Sequence, residues 1–178
     1  TMVGYITNGG GTQLRADALA WSATQGMWFF EPSAVGAPVA STLRSLNPNT
    51  AVAGAGVTLA DRFIFGAAFD AHNRLWATDE AADELLRIDP ITGNVLYAIG
   101  LTFNSQTFNL ENQGGDIAFD ASGTAWLVYE DDFYQVDTAT GAMTLDRTVT
   151  GISLWMVGAA FSPIEADELH VFDVSIGW

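Results

Sequence analysis

One short segment recurs along the chain, and it constrains the fold more than any other feature. Gly66–Trp76 reads GAAFDAHNRLW and Gly115–Trp126 reads GDIAFDASGTAW. In both copies a phenylalanine, Phe69 or Phe119, precedes the tryptophan by seven residues. An Asp-Ala pair and a turn lie between the two aromatic residues. Repetition of a whole segment at a long period indicates an architecture built from equivalent units.

Two further copies extend the repeat towards both ends of the chain. Trp21 stands seven residues before Trp28, in the place of the phenylalanine, and Phe161 leads a final copy that continues to Leu169–Phe172. The four lead aromatics are therefore 48, 50 and 42 residues apart. A period of this size is typical of the blades of a β-propeller, in which each blade is a small antiparallel sheet.

The second half of each unit repeats as well. Leu85–Gly93 matches Phe133–Gly141, and each segment ends in an Asp-x-x-x-Gly turn. The aspartate of such a turn accepts backbone hydrogen bonds and the glycine takes a positive φ. In the second unit this pattern predicts four strands. They are Ala67–Asp70, Arg74–Thr78, Leu85–Asp89 and Asn94–Ile99.

These patterns predict an all-β fold, a single β-propeller domain over residues 1–178 with four-stranded antiparallel blades. The units cover approximately 16–60, 61–110, 111–153, and 154–178 together with 1–14. Met2–Thr7 is predicted to be a strand that closes the last blade of a four-bladed ring, because sheet edges are normally covered. Two alternatives remain open. Two chains could form an eight-bladed ring, or the strand could complete a neighbouring chain and build a filament.

The repeat from Ala18 to about Asp173 resembles the blades of secreted bacterial propellers. The Phe-Asp-Ala turn, the tryptophan and the Asp-x-x-x-Gly turn are similar to NHL-type and gluconolactonase-type repeats, and to repeats of exosortase-sorted surface proteins. The resemblance implies an extracellular or cell-surface protein. It also implies, as an alternative to a purely binding or adhesive role, a calcium-dependent hydrolase of lactonase type with a metal in the central channel.

Charge and composition exclude several classes of partner. The chain has 21 acidic and 6 basic residues, a net charge of −15, and no cysteine. Such a surface repels phosphate backbones, which argues against nucleic acid. Thiolate metal sites and cysteine catalysis are excluded. No apolar run is long enough to insert into a membrane.

Acidic residues cluster in the connections between the second and third strands. The ligand-face candidates are Glu80, Asp83, Glu84, Glu130, Asp131, Asp132 and the aromatic Trp155. Hard oxygen ligands suit Ca²⁺, and Asp79 and Asp116 are the candidate metal ligands, with a solvated acidic rim as the alternative interpretation. Asp79 ends an Ala-Thr-Asp strand that resembles the inward-facing strand ends of gluconolactonase-type propellers.

No catalytic set is recognisable by spacing, since His72 and His170 have no serine or carboxylate partner in the sequence. The predicted function is therefore a non-enzymatic extracellular binding or structural module. It would act through the acidic loop face, on a carbohydrate or protein ligand, or through self-association. The calcium-dependent lactonase-type hydrolase is the alternative.

Overall fold

The computed structural model describes residues 5–34, 39–110, 115–150, 156–162 and 168–173. These residues form sixteen strands joined by turns. The described part of the chain has no helix, and hence no helix that could cross a bilayer. The prediction of an all-β chain is confirmed.

The strands form four sheets that follow the four sequence units. Sheet 1 contains β1 (Ala18–Ser22), β2 (Gly26–Pro32), β3 (Ala40–Asn47) and β4 (Val52–Ala60), and sheet 2 contains β5 (Ile64–Phe69), β6 (Leu75–Asp79), β7 (Glu84–Ile88) and β8 (Val95–Gly100). In both sheets the strands lie in sequence order and each neighbouring pair is antiparallel. The four predicted strands of the second unit are thus confirmed, with ends shifted by a few residues.

Sheet 3 has two strands more than the sequence predicts. Its main strands are β11 (Asp116–Phe119), β12 (Ala125–Tyr129), β13 (Asp132–Val136) and β14 (Ala142–Thr148). The connection before it contains the hairpin β9 (Thr102–Phe103) and β10 (Gln106–Thr107). Strand β9 pairs in parallel with β14 and covers that outer edge. In sheet 4 the described strands are β15 (Met156–Phe161) and β16 (Leu169–Asp173).

The Asp-x-x-x-Gly turns have the predicted geometry. The Asp89 carboxylate accepts the amide of Ile91 at 2.9 Å, and Gly93 has a φ of 71°. Asp137 and Gly141 repeat this arrangement, with the Gly141 φ at 72°. In the second and third units, local sequence therefore determines where the third strand turns into the fourth.

The sheets pack side by side through their first strands. Strands β1, β5, β11 and β15 contact one another in that order, so the first strand of each unit is the innermost. Within the described ranges, β15 and β1 do not contact each other to the extent that the other neighbouring first strands do. The described sheets therefore form an arc, and closure into a ring is not part of the observed architecture.

A repeated aromatic contact holds the sheets together. Trp76 of sheet 2 lies 6.2 Å from Phe119 of sheet 3, and Trp126 of sheet 3 lies 6.3 Å from Phe161 of sheet 4, between ring centroids. Trp28 and Phe69 border the apolar core between sheets 1 and 2. Trp76 and Trp126 thus each pack towards the lead aromatic of the following unit.

Close backbone approach between sheets 2 and 3 requires a glycine. A Cβ atom at Gly66 would lie 2.4 Å from the Gly115 carbonyl oxygen and 2.6 Å from the Asp116 Cα. Main-chain atoms at that distance cannot move aside independently, so any side chain at position 66 would push the two inner strands apart.

The prediction that the N-terminal strand closes the last unit is wrong for the described part of that strand. Thr7 forms a parallel bridge with Val52 at the outer edge of sheet 1. Its amide donates to the Ala51 carbonyl at 3.0 Å, and its carbonyl accepts the Ala53 amide at 2.8 Å. Strand β4 is the outer strand of sheet 1, and an edge of this kind accepts a pairing segment. Residues 2–4 lie outside the described residues.

Candidate functional site

In sheets 2 and 3 an aspartate connects the turn after the inner strand to the tryptophan of the same sheet. In sheet 2 the Asp70 carboxylate accepts the amides of His72 and Arg74, each at 2.9 Å, and the Trp76 indole N–H at 3.0 Å. In sheet 3 Asp120 accepts the equivalent bonds, including the Trp126 indole N–H at 3.0 Å. The repeated aspartate therefore fixes both the turn and the orientation of the indole.

These turns surround a cavity of about 480 Å³ at the end of the inner strands. Each of the four sheets contributes one aromatic ring to its lining, and these are the lead aromatics Trp21, Phe69, Phe119 and Phe161. The polar part of the lining comes from Ser22, Asp70, Asn73, Asp120 and Ser162. The cavity thus combines a ring of aromatic side chains with two carboxylates, and no single sheet could form it.

A second cavity of about 370 Å³ shares the four lead aromatics and continues between the inner strands. The residue before each lead aromatic is an alanine, and these alanines are Ala20, Ala68, Ala118 and Ala160. Small side chains at this position leave space between the strands that larger ones would fill. The deeper region is therefore apolar, and the charged groups lie at the turns.

Both cavity carboxylates are held in the ionised form. Burial acts to raise the pKa of Asp70, but hydrogen bonds from the Arg74 amide, the Trp76 indole and the Arg74 guanidinium outweigh it and hold that pKa below its usual range. The pKa of Asp120 is also lowered, since bonds from Trp126, Ser122 and Thr124 outweigh the effect of burial. Both groups carry a negative charge at neutral pH.

The first predicted metal ligand, Asp79, is engaged in a structural contact. Its side chain is fully buried and accepts from Arg62 Nη1 at 2.7 Å and from the Phe63 amide at 2.8 Å. The same Arg62 nitrogen lies 2.5 Å from Glu84. Asp79 therefore joins the start of β5 to the end of β6, and an arginine balances its charge.

The second predicted metal ligand, Asp116, joins three sheets. Its carboxylate accepts the amides of Ala67 in sheet 2 at 3.1 Å, Ile117 in sheet 3 at 2.9 Å and Ala159 in sheet 4 at 2.7 Å. Burial raises the pKa of Asp116 to about 7, although the three amide donors act to lower it. Asp116 links the inner strands at the end opposite the aromatic cavity.

The other acidic candidates divide between structural contacts and exposed loops. Asp83 accepts the Leu110 amide at 2.8 Å, and Asp132 accepts the Tyr134 hydroxyl at 2.8 Å and a short bond from Thr148. Glu80 and Asp131 are half-buried and Glu130 is exposed. Trp155 lies outside the described residues.

The geometry does not fit a resident calcium ion on the predicted ligands. The described ranges contain no group of three Asp, Glu or His side chains close enough to hold a metal. Arg62 forms a salt bridge with the Asp79 carboxylate. The Asp116 oxygens accept hydrogen bonds from N–H donors that a cation would have to displace. Calcium binding needs several converging oxygen ligands, and these two aspartates belong to separate contacts.

The two ends of the arc differ from its interior. Trp21 is 60% exposed, whereas the lead aromatics of the later sheets are partly covered. At the other end, His170 lies opposite Ala160 in the strand pairing of sheet 4. Trp76 lies opposite Ala68 in the same way in sheet 2, so His170 takes the position of the second-strand tryptophan. The His170 side chain is exposed. Among the described sheets, none packs on the exposed side of Trp21 in sheet 1 or of β16 in sheet 4.

Comparison with known proteins supports the fold. No family model matches the chain, and no curated protein does. Among solved structures, it is similar to a Kuenenia stuttgartiensis hydrazine synthase, with a TM-score of 0.55, 15% identity and coverage of 98% of this chain and 47% of that chain. A Staphylococcus aureus virginiamycin B lyase solved with quinupristin gives a TM-score of 0.53 at 10% identity, covering 88% of this chain and 62% of that chain.

The chain therefore spans about half to two thirds of the length of these two structures. A Myxococcus xanthus glutaminyl cyclase is covered over 92% of its length, with a TM-score of 0.42 and 16% identity. Sequence identities this low support a similar fold and do not support a shared activity. The chain is an all-β protein of antiparallel sheets with β-propeller-like structural neighbours from bacteria.

Proposed function

We propose that the protein is a non-enzymatic binding module whose ligand occupies the cavity between the four inner strands. The observation that carries this proposal is the convergence of Trp21, Phe69, Phe119 and Phe161 on one cavity. Concave, largely apolar sites with a few polar groups are the usual form of small-molecule sites. The resemblance of the repeats to those of secreted propellers supports a location outside the cell or at its surface.

The carboxylates at this cavity are suited to binding rather than to proton transfer. A general acid or base works best when its pKa lies near the operating pH. Asp70 and Asp120 have lowered pKa values and each already accepts an indole N–H and turn amides. They therefore supply fixed negative charge and a rigid rim.

The experiment is a titration with N-phenyl-1-naphthylamine, a neutral fluorophore that brightens in apolar sites. We expect saturable binding to the full chain and a loss of affinity of about tenfold in Trp21→Ala, because one wall of the cavity is removed and each lost aromatic contact costs on the order of 1–2 kcal/mol.

Leu96→Ala is the matched control, since Leu96 is 56% exposed on β8 and does not line the cavity. This variant should bind the fluorophore as the parent does. Equal weakening by both substitutions, or the absence of saturable binding, would contradict the proposal.

Self-association is a second candidate function, and the exposed ends of the arc favour it. At the junctions between sheets 2 and 3 and between sheets 3 and 4, a second-strand tryptophan packs towards the next lead aromatic. A second copy would present its last sheet to Leu19 and Trp21 of the first copy, and two arcs joined in this way would complete one ring. This arrangement needs no donated N-terminal strand.

The mass of the protein in solution tests this candidate. We expect light scattering to show a dimer that Leu19→Arg converts to monomer, because a buried unpaired charge opposes association. Leu145→Arg is the control, since Leu145 is exposed on β14, away from the inner strands. A monomeric parent at high concentration, or equal dissociation by both variants, would exclude ring completion by a second copy.

A further inference from the structure

The two cavity carboxylates approach the aromatic rings from neighbouring sheets. Asp70 and Asp120 each follow a lead aromatic directly, so the repeat itself places one carboxylate beside Phe69 and one beside Phe119. An aromatic ring presents negative electrostatic potential on its face, and a cation is attracted when it lies within about 6 Å of the ring centroid. Rings and carboxylates at this cavity therefore favour the same sign of ligand charge.

We infer that the ligand class of the aromatic cavity is an organic cation bearing a methylated or quaternary ammonium group. This inference rests on the proposed binding function and adds the chemistry of the ligand. Apolar methyl groups suit the alanine-lined interior, and the positive charge suits the carboxylates at the turns. A small inorganic cation would find carboxylates already bound by N–H donors, and the described residues contain no group of acidic side chains that could hold a metal.

The arginines near these carboxylates leave a net negative site. Arg74 bonds Asp70 at 2.5 Å and lies over the Trp76 ring, outside the cavity lining. Asp120 has no such partner, because Thr124 occupies the position that corresponds to Arg74 and donates only its amide. Arg147 lines the neighbouring gap that Asp120 also borders, and it is paired with Asp146 at 2.7 Å.

The charge of the whole chain acts in the same direction. A net charge of −15 produces a negative field that attracts cations and repels anionic ligands, including phosphates and carboxylates. Long-range attraction alone has no specificity, since exposed charges are screened by salt. The aromatic cavity supplies the short-range contacts that salt screens much less.

The experiment compares choline with 3,3-dimethyl-1-butanol, which has the same shape and no charge. Calorimetric titration of the full chain at physiological salt should show choline binding at least about tenfold more tightly, corresponding to a cation–π and carboxylate contribution of roughly 1–2 kcal/mol. Trp21→Leu should reduce this preference, because leucine keeps apolar volume and lacks the ring.

Asn73→Asp provides a gain of affinity as a second readout. Asn73 lines the cavity at a φ of 59°, a backbone conformation that aspartate tolerates, and its side-chain oxygen accepts the Ser22 hydroxyl. An added carboxylate should tighten choline binding several-fold and leave the alcohol unchanged. Asn104→Asp is the matched control, since Asn104 is an exposed turn residue with a φ of 52° in the β9–β10 hairpin.

Each outcome decides between the inference and the function on which it rests. Equal affinity for choline and the alcohol would overturn the cation inference and leave the binding cavity in place. Binding of neither compound, together with no fluorophore binding, would overturn both. An equal gain in Asn73→Asp and Asn104→Asp would show that net charge alone attracts choline, and the inference would fail.

Discussion

Replacing Trp76 by alanine is expected to lower the free energy of unfolding by about 3–5 kcal/mol, the range for buried aromatic truncations. The side chain is 4% exposed and its ring packs against Tyr97 and Phe119, with centroids 6.3 and 6.2 Å away. Its indole N–H also satisfies Asp70. Alanine would leave a cavity between sheets 2 and 3 and would remove one donor from a carboxylate that fixes the adjacent turn.

Denaturant unfolding measures this effect, and Trp21→Ala is the comparison. Trp21 belongs to the same repeat, but it is 60% exposed, so its truncation should cost less than about 1 kcal/mol, as surface substitutions usually do. Comparable destabilisation in the two variants would show that the register of the repeat is incorrect. A parent-like Trp76→Ala variant would exclude the aromatic contact as the element that joins sheets 2 and 3.

The stability of the protein should fall as the pH rises from about 4 to about 7, and Asp116 is the cause. The native pKa of Asp116 is raised from 3.8 to about 7. The native state therefore binds more protons than the unfolded chain in this window, and stability decreases with increasing pH until Asp116 is ionised in both states. At about 1.36 kcal/mol per pKa unit, the decrease is at most about 4 kcal/mol.

Other carboxylates act in other ranges of pH. The lowered pKa values of Asp70, Asp89, Asp120 and Asp137 stabilise the native state above their unfolded pKa, and this contribution is lost as the pH falls through their native values. Burial raises the pKa of Asp17 and adds to the effect of Asp116. The melting temperature should therefore be highest in mildly acidic solution, near pH 4–5 on these grounds.

Asp116→Asn separates the contribution of this residue from the others. The amide does not titrate, so most of the decrease between pH 4 and 7 should disappear, although the variant should be less stable at low pH because its NH₂ group faces an N–H donor such as that of Ala159. Asp89→Asn should keep the full decrease, since Asp89 lies in an exposed turn. A parent-like pH profile in Asp116→Asn would exclude Asp116 as the titrating group.

The sequence alone predicts the elements and their order, because the signals for them are local. The period of the lead aromatics separates the four units, and the turns at Asp89–Gly93 and Asp137–Gly141 mark strand ends through hydrogen bonds within a few residues. These features depend on contacts that neighbouring residues make with one another.

The partners of individual side chains depend on distant parts of the chain, and the sequence does not reveal them. Asp79 and Asp116 have the residue type of metal ligands, but their partners are Arg62 and amides in three sheets. The hairpin β9–β10 forms because the edge of β14 lies beside a connection that reads as a loop.

The sequence by itself therefore determined an all-β chain of repeated antiparallel sheets, since strand and turn propensities act over a few residues. Only the tertiary structure decided that Thr7 pairs with sheet 1 and that the described sheets form an arc. It also decided that Trp21, Phe69, Phe119 and Phe161 converge on one cavity. These outcomes depend on which edges and faces meet after packing, and residues 48 or 50 positions apart in sequence contain no local signal of that meeting.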